Sequence, residues 1–183
     1  MARGNKKIMV DFMKSIKENP LRYYFIQSQL KKLIEDGVDV STQGNNGNTL
    51  LHLAISLENK RLLMMFIKAG VILDLANDNG ESPLHKAVSK GNAELIKILI
   101  KNGCDINCPR EMEQTPLHLA VICGKMEIVK LLVDNGADIL VADELNNLPI
   151  DYAIDEGDLQ LVKYFLTKQI IDEKRLERIS KLL

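Results

Sequence analysis

Apolar and polar positions between residues 44 and 168 alternate in two blocks that recur along the chain. In residues 77–109, Leu95, Ile96, Ile98, Leu99 and Ile100 fall at helical spacing and predict a broad apolar face on a helix starting after Asn92. Gly103 is placed to end it in a left-handed turn. A shorter helix is predicted before it, because Ser82 can cap the first N–H groups, Pro83 needs no donor in the first turn, and Gly91 supplies the exit. The stretch through Asp105, Asn107 and Pro109 then reads as an extended turn.

This block repeats. Histidines stand at His52, His85 and His118, 33 residues apart, and a further step lands on Asp151. Glycines keep the same period at Gly37, Gly70, Gly103 and Gly136. Two short helices cannot bury both faces alone, so the units must stack. The motifs are Thr49-Leu50-Leu51-His52-Leu53-Ala54, Ser82-Pro83-Leu84-His85-Lys86-Ala87, Thr115-Pro116-Leu117-His118-Leu119-Ala120 and Leu148-Pro149-Ile150-Asp151-Tyr152-Ala153. They resemble the ankyrin repeat signature, whose TPLHxA motif recurs every ~33 residues.

The resemblance implies an all-α ankyrin-repeat solenoid of helix-turn-helix units joined by extended, hairpin-like loops. Its expected parts are an N-terminal helical cap (1–43), repeats at 44–76, 77–109, 110–142 and a degenerate 143–168, and a C-terminal capping helix (169–183). Departures from the pattern mark particular positions. Glu58 replaces the inter-helix glycine, which leaves Asn59 to supply the tight turn, and Leu148, Asp151 and Asn146 replace a hydroxyl, a histidine and a glycine. In the cap, residues 6–18 predict a helix with Ile8, Phe12 and Ile16 on one side, and Asn19-Pro20 predicts the start of a second running to about Asp36. At the other end, Asp172 is expected to cap a helix whose Leu176, Ile179, Leu182 and Leu183 share a sealing face.

Composition narrows the function. The chain has 183 residues, 46% of them apolar, 27% charged and 4% aromatic, with a net charge of −1. No global positive field exists to hold nucleic acid, and Lys outnumbers Arg three to one. Apolar stretches fall short of the ~18 uncharged residues of a membrane span and of a signal-peptide core. Cys104, Cys108 and Cys123 form no CxxC pair, which points to thiols in a reducing, cytoplasmic setting; export independent of a signal peptide stays open.

Catalytic readings find little support. Helices pack ~8–10 Å apart, so histidines one repeat apart cannot share a metal with bonds of ~2 Å. Neither a metal nor a cofactor is expected; His52, His85 and His118 are read as structural, bonding to turn hydroxyls or backbone. Gly44-Asn45-Asn46-Gly47 lacks the lysine and preceding strand of a phosphate loop. Glu144, Asp155, Glu156 and Asp158 read as a solvated acidic end, and Tyr23-Tyr24-Phe25 as cap core rather than a base-stacking platform.

The surface remains. By resemblance, turn tips and first-helix ends line a concave groove that binds a partner protein. Carried over by position, the tips contribute Asp78, Asn79 and Glu81, then Glu111, Met112 and Gln114, then Glu144 and Leu145. The helix ends contribute Leu57, Ser89 and Lys90, then Ile122 and Cys123, then Asp155 and Glu156. Met112, Ile122, Cys123, Leu57 and Leu145 put apolar groups where stability does not require them, and the acidic C-terminal end favours a partner with basic character. The resemblance also flags Asn107, because Leu99, Asp105 and Asn107 match the spacing at which some ankyrin asparagines are hydroxylated, although a turn-stabilising role is the stronger reading. The expectation is a monomeric, non-enzymatic adaptor, inhibitor or targeting scaffold. Its Ile, Lys and Asn content is compatible with an AT-rich genome and with an effector acting in a host cell. The alternative is a regulatory repeat domain that recognises a small ligand or nucleotide.

Overall fold

The computed structural model describes residues 2–168 and 173–182, with backbone alone at 2–4. These residues form eleven α-helices, two 3-10 turns and no strand, the all-α class expected. α1 (Ala2–Glu18) and α2 (Tyr23–Glu35) make the N-terminal hairpin. Four shorter hairpins follow: α3 (Leu50–Ser56) with α4 (Lys60–Lys68), α5 (Pro83–Lys90) with α6 (Ala93–Lys101), α7 (Pro116–Ile122) with α8 (Met126–Asp134), and α9 (Pro149–Asp155) with α10 (Leu159–Leu166). α11 (Glu173–Ser180) comes last.

The chain divides into two compact units, Met1–Asp105 and Ile106–Leu183. In the first, α3 packs on α1, α4 and α5, and α6 packs on α4 and α5. In the second, α7 packs on α8 and α9, while α9 also meets α10 and α11.

The core follows the sequence period. Leu51, Leu84, Leu117 and Ile150 are each 0% exposed, as are Phe66, Leu99, Leu132 and Phe165. Ala54, Ala87, Ala120 and Ala153 form a third buried series at the same spacing. Burying a Leu or Phe contributes roughly 1.5–3 kcal/mol, so these positions outweigh the weak intrinsic stability of helices of seven to nine residues.

Local chemistry sets the helix ends. Thr49, Ser82 and Thr115 accept the N–H of His52, His85 and His118 and so begin α3, α5 and α7. Between α3 and α4, Glu58 itself takes the left-handed conformation at φ 49°, as Gly91 does at 73° one period later. Asn59, expected to make that turn, instead caps α4 by accepting the Leu62 N–H at 3.1 Å.

The N-terminal hairpin departs from expectation in phase. In α1 the buried face is Met9, Phe12, Met13 and Ile16, and Ile8 is 42% exposed. Asn19 and Pro20 form a turn in which the Asn19 carbonyl accepts the Arg22 N–H, so α2 begins at Tyr23. α2 buries only Ile26 and Leu30, which leaves Tyr24 84% exposed and Phe25 45% exposed, outside the cap core.

α11 is held by charge as well as by apolar burial, Leu182 being half-buried. Ile179 is buried, but Leu176 is 48% exposed; Asp172 and Leu183 lie outside the described residues. Asp151, 2% exposed, accepts Arg175 Nε at 3.0 and 2.9 Å, Arg175 Nη2 at 2.6 Å and Arg178 Nη1 at 2.6 Å. The same carboxylate accepts the Leu148 N–H at 2.9 Å, as His52 and His118 Nδ1 accept the Thr49 and Thr115 N–H, so Asp151 takes over the role of the missing histidine at the start of α9. Removing one partner of a buried ion pair leaves a charge uncompensated. Arg175→Ala is therefore expected to destabilise the second unit by about 2–3 kcal/mol. Lys60→Ala, which breaks a pair with Glu94 exposed on both sides, is expected to cost less than about 1 kcal/mol. Urea unfolding of the two variants checks the difference.

Candidate interaction surface

The histidines fix the turn tips from below. His52 Nδ1 accepts the Thr49 N–H at 3.2 Å and lies 2.9 Å from Thr49 Oγ1. Its Nε2 lies 2.9 Å from the Glu81 carbonyl, which can only accept, so Nε2 carries the proton. His118 repeats this with Thr115 and the Asn147 carbonyl at 3.1 Å. His85 Nδ1 lies 2.9 Å from Ser82 Oγ. In each of the two bridged pairs, one imidazole joins a helix start to the tip of the following repeat. Burial holds His52 and His118 below the ordinary histidine value of 6.5, against the opposing pull of their carbonyl bonds to Glu81 and Asn147.

In the first unit the tips are polar. Asn45–Gly47 is a 3-10 turn with Asn46 and Gly47 at positive φ, and the Asn46 carbonyl accepts the Asp78 N–H at 3.1 Å. A side chain at residue 47 would collide with Asp78, so glycine is required there for space as well as for φ. Asn77 Oδ1 accepts the N–H groups of Asn79 and Glu81 at 3.0 and 3.1 Å, closing the next tip. Asp78, Asn79, Ser89 and Lys90 are exposed, and Lys90 stands 3.7 Å from Glu58. Glu81 and Leu57 are half-buried, with the Glu81 carboxylate 4.0 Å from Lys86 Nζ.

The second unit uses the same framework with different side chains. Asp143 Oδ1 accepts the N–H groups of Leu145 and Asn147, each at 2.9 Å, as Asn77 does in the first unit. The Met112 carbonyl accepts the Glu144 N–H at 3.0 Å. Met112 and Glu113 occupy left-handed φ of 59° and 55°, where Asn46 and Gly47 stand in the first unit. Neither Met nor Glu favours that region, and each costs about 1–2 kcal/mol there.

One expected surface residue, Gln114, belongs elsewhere, and another, Asp155, is exposed but paired. Gln114 is 7% exposed; it accepts from Arg110 Nη2 at 2.7 Å and donates to the Tyr152 hydroxyl at 2.8 Å. Tyr152 in turn donates to Asp143. Burial opposes ionisation of Asp143, but the hydrogen bonds from Tyr152, Asn147 and Leu145 outweigh it and hold the carboxyl below the usual range. Asp155 is paired with Arg178, and Asp158 caps α10 by accepting the N–H groups of Gln160 and Leu161. Glu144, Asp155 and Glu156 all stay exposed along with Glu111, so the acidic end remains at the surface with Asp155 paired.

Met112 is 43% exposed, Ile122 39% and Leu145 64%, with Cys123 exposed next to Ile122. Cys104 and Cys108 are buried, and Asn107 Oδ1 accepts the Asp138 N–H at 2.9 Å. Sequence reasoning missed Arg110, Asp143 and Tyr152, and the arginines of α11. The available signal was that Asp143 stands two periods from Asn77, and Asp and Asn close the same turn.

A family model described as ankyrin repeats (3 copies) matches residues 24–110 and 108–175. The chain belongs to the ankyrin repeat family. Ankyrin repeats generally act as protein–protein interaction modules. No curated protein shows significant similarity to this ankyrin chain. No described helix is long and apolar enough to cross a membrane.

Two outcomes follow from these tips. Glu113→Gly relieves a left-handed side chain, partly offset by glycine's extra freedom when unfolded, and is expected to stabilise the second unit by up to about 1 kcal/mol in urea unfolding. For the histidines, the unfolded chain binds more protons than the folded one below about pH 6.5. Stability from the neutral imidazoles is therefore full above that pH and is lost as pH falls toward the lowered folded values. The thermal midpoint is expected to drop between about pH 7 and 5, and to drop less in a His52→Gln/His118→Gln variant.

Proposed function

We propose that this ankyrin chain is a non-enzymatic binding protein that docks a partner protein on the turn tips and first-helix ends of its second unit. One observation carries the reading: Met112, Ile122 and Leu145 are exposed at positions whose counterparts in the first unit are Asn46, Asn79, Ser56 and Ser89. A shared framework with apolar groups at one set of tips provides anchors that fold stability does not need. Glu111 and Glu144 flank these anchors, and the exposed Asp155 is paired with Arg178. The fitting partner combines an apolar contact with a basic edge.

The mechanism is preorganisation. Asp143, Tyr152, Gln114 and His118 hold the tips before binding, so little conformational entropy is lost on docking. The same surface would serve an adaptor, an inhibitor, a targeting scaffold or an effector in a host cell.

Met112→Asp/Ile122→Lys is expected to abolish partner capture while shifting stability by less than about 1 kcal/mol, since both residues are surface-exposed. Affinity capture beside the intact chain, with urea unfolding of both, checks this. Identical captured proteins, or a stability loss beyond about 2 kcal/mol, would overturn the assignment.

A further inference from the structure

A second surface lies on α2 and α4 and shares only Leu57 with the expected groove residues, and none with the tips of the second unit. Both helices end just before a positive-φ glycine, Gly37 and Gly70, one period apart. α2 has 13 residues and α4 has 9, so α2 is about one turn longer at its N-terminus. That extra turn reaches the α3–α4 loop, where Asn59 Nδ2 donates to the Tyr23 hydroxyl at 3.1 Å and the Arg61 guanidinium lies 4.2 Å from the Tyr23 ring centre. Between the helices run two adjoining cavities of about 680 and 450 Å³, sharing Gln27, Met65 and Lys68.

The floor and the rim differ in character. Leu57, Met64 and Met65 line the larger cavity, and Leu30 and Ile34 the smaller; Met64 is 40% exposed and Ile34 45%. Methionines adapt to irregular apolar partners. The carboxylates lining the rim are already matched, Glu35 to Lys31 at 3.6 Å and Glu58 to Lys90 at 3.7 Å, and Lys60 is paired with Glu94. Among the described residues, Arg61 and Lys68 have no carboxylate partner, so the groove keeps an excess of positive charge along an apolar floor.

We propose that this groove binds an acidic amphipathic helix of a partner protein. Apolar side chains on one face of that helix fill the space between α2 and α4, and its carboxylates meet Arg61 and Lys68. The groove follows α2 from Tyr23 to Ile34, which matches about three helical turns of the occupant.

The test uses the full chain and a fluorescent helical peptide of about 16 residues with Leu at i, i+3/i+4 and i+7 spacing and Glu beside the apolar face. Controls are the same peptide with Lys for Glu and a scrambled peptide of unchanged composition. Fluorescence anisotropy is expected to show saturable, salt-sensitive binding of the Glu peptide and at least about tenfold weaker binding of both controls. Arg61→Glu/Lys68→Glu is expected to weaken the Glu peptide by at least about tenfold with an unchanged circular dichroism spectrum, and Met64→Asp supplies an independent groove variant. The tip variant Met112→Asp/Ile122→Lys is expected to bind the peptide normally, which separates this surface from the tips. Equal binding of the scrambled peptide, no binding at all, or indifference to both groove variants would overturn the proposal. So would self-association in sedimentation that Met64→Asp abolishes, because the groove would then be an interface between copies of the chain.

Discussion

Helices of seven to nine residues do not persist in water on their own, so each of the four shorter hairpins depends on being pinned to its neighbour. Repeating buried side chains supply most of the adhesion, and the imidazoles make it directional. His52 and His118 each complete a cap within their own repeat and use the remaining nitrogen on a carbonyl of the next tip. A helix start and a loop are thereby fixed by one neutral ring. The exposed side chains inherit their positions from that bond.

The two units share this framework and diverge at the surface. In the first, the Asn46–Gly47 turn adopts left-handed backbone with residues suited to it, and the tips are polar. In the second, Met112 and Glu113 hold the same backbone at a cost, beside exposed Ile122 and Leu145. Strain in a sparsely populated region persists only where the surroundings over-determine it, and the bond from Glu144 N–H to the Met112 carbonyl does part of that. Charge acts differently at the C-terminal end, where α11 brings two arginines to a buried carboxylate whose other hydrogen bond comes from the uncharged Leu148 N–H.

Much of the fold was legible because its determinants are local and periodic. The Thr or Ser caps, the motif histidines and the apolar series at Leu51, Leu84, Leu117 and Ile150 can be read by stepping one repeat at a time. The surface was legible in part. Met112, Ile122 and Leu145 could be placed outward from register alone, whereas Gln114 shares that register and turns inward because Arg110 and Tyr152 satisfy its amide. In the N-terminal hairpin no repeat supplies the phase, and spacing alone points Ile8, Tyr24 and Phe25 toward a core that Met9, Ile26 and Leu30 occupy.

By itself the sequence determined the repeat, its helix boundaries, its caps and its core positions, since each depends on residues within a few turns of one another or one period apart. Tertiary structure decided which polar side chains meet. Asp151 and Arg175 are 24 residues apart with no repeat relating them, and Tyr23 finds Asn59 only because α2 carries an extra turn. Such pairs depend on the distance between elements after packing, a quantity that no local spacing encodes.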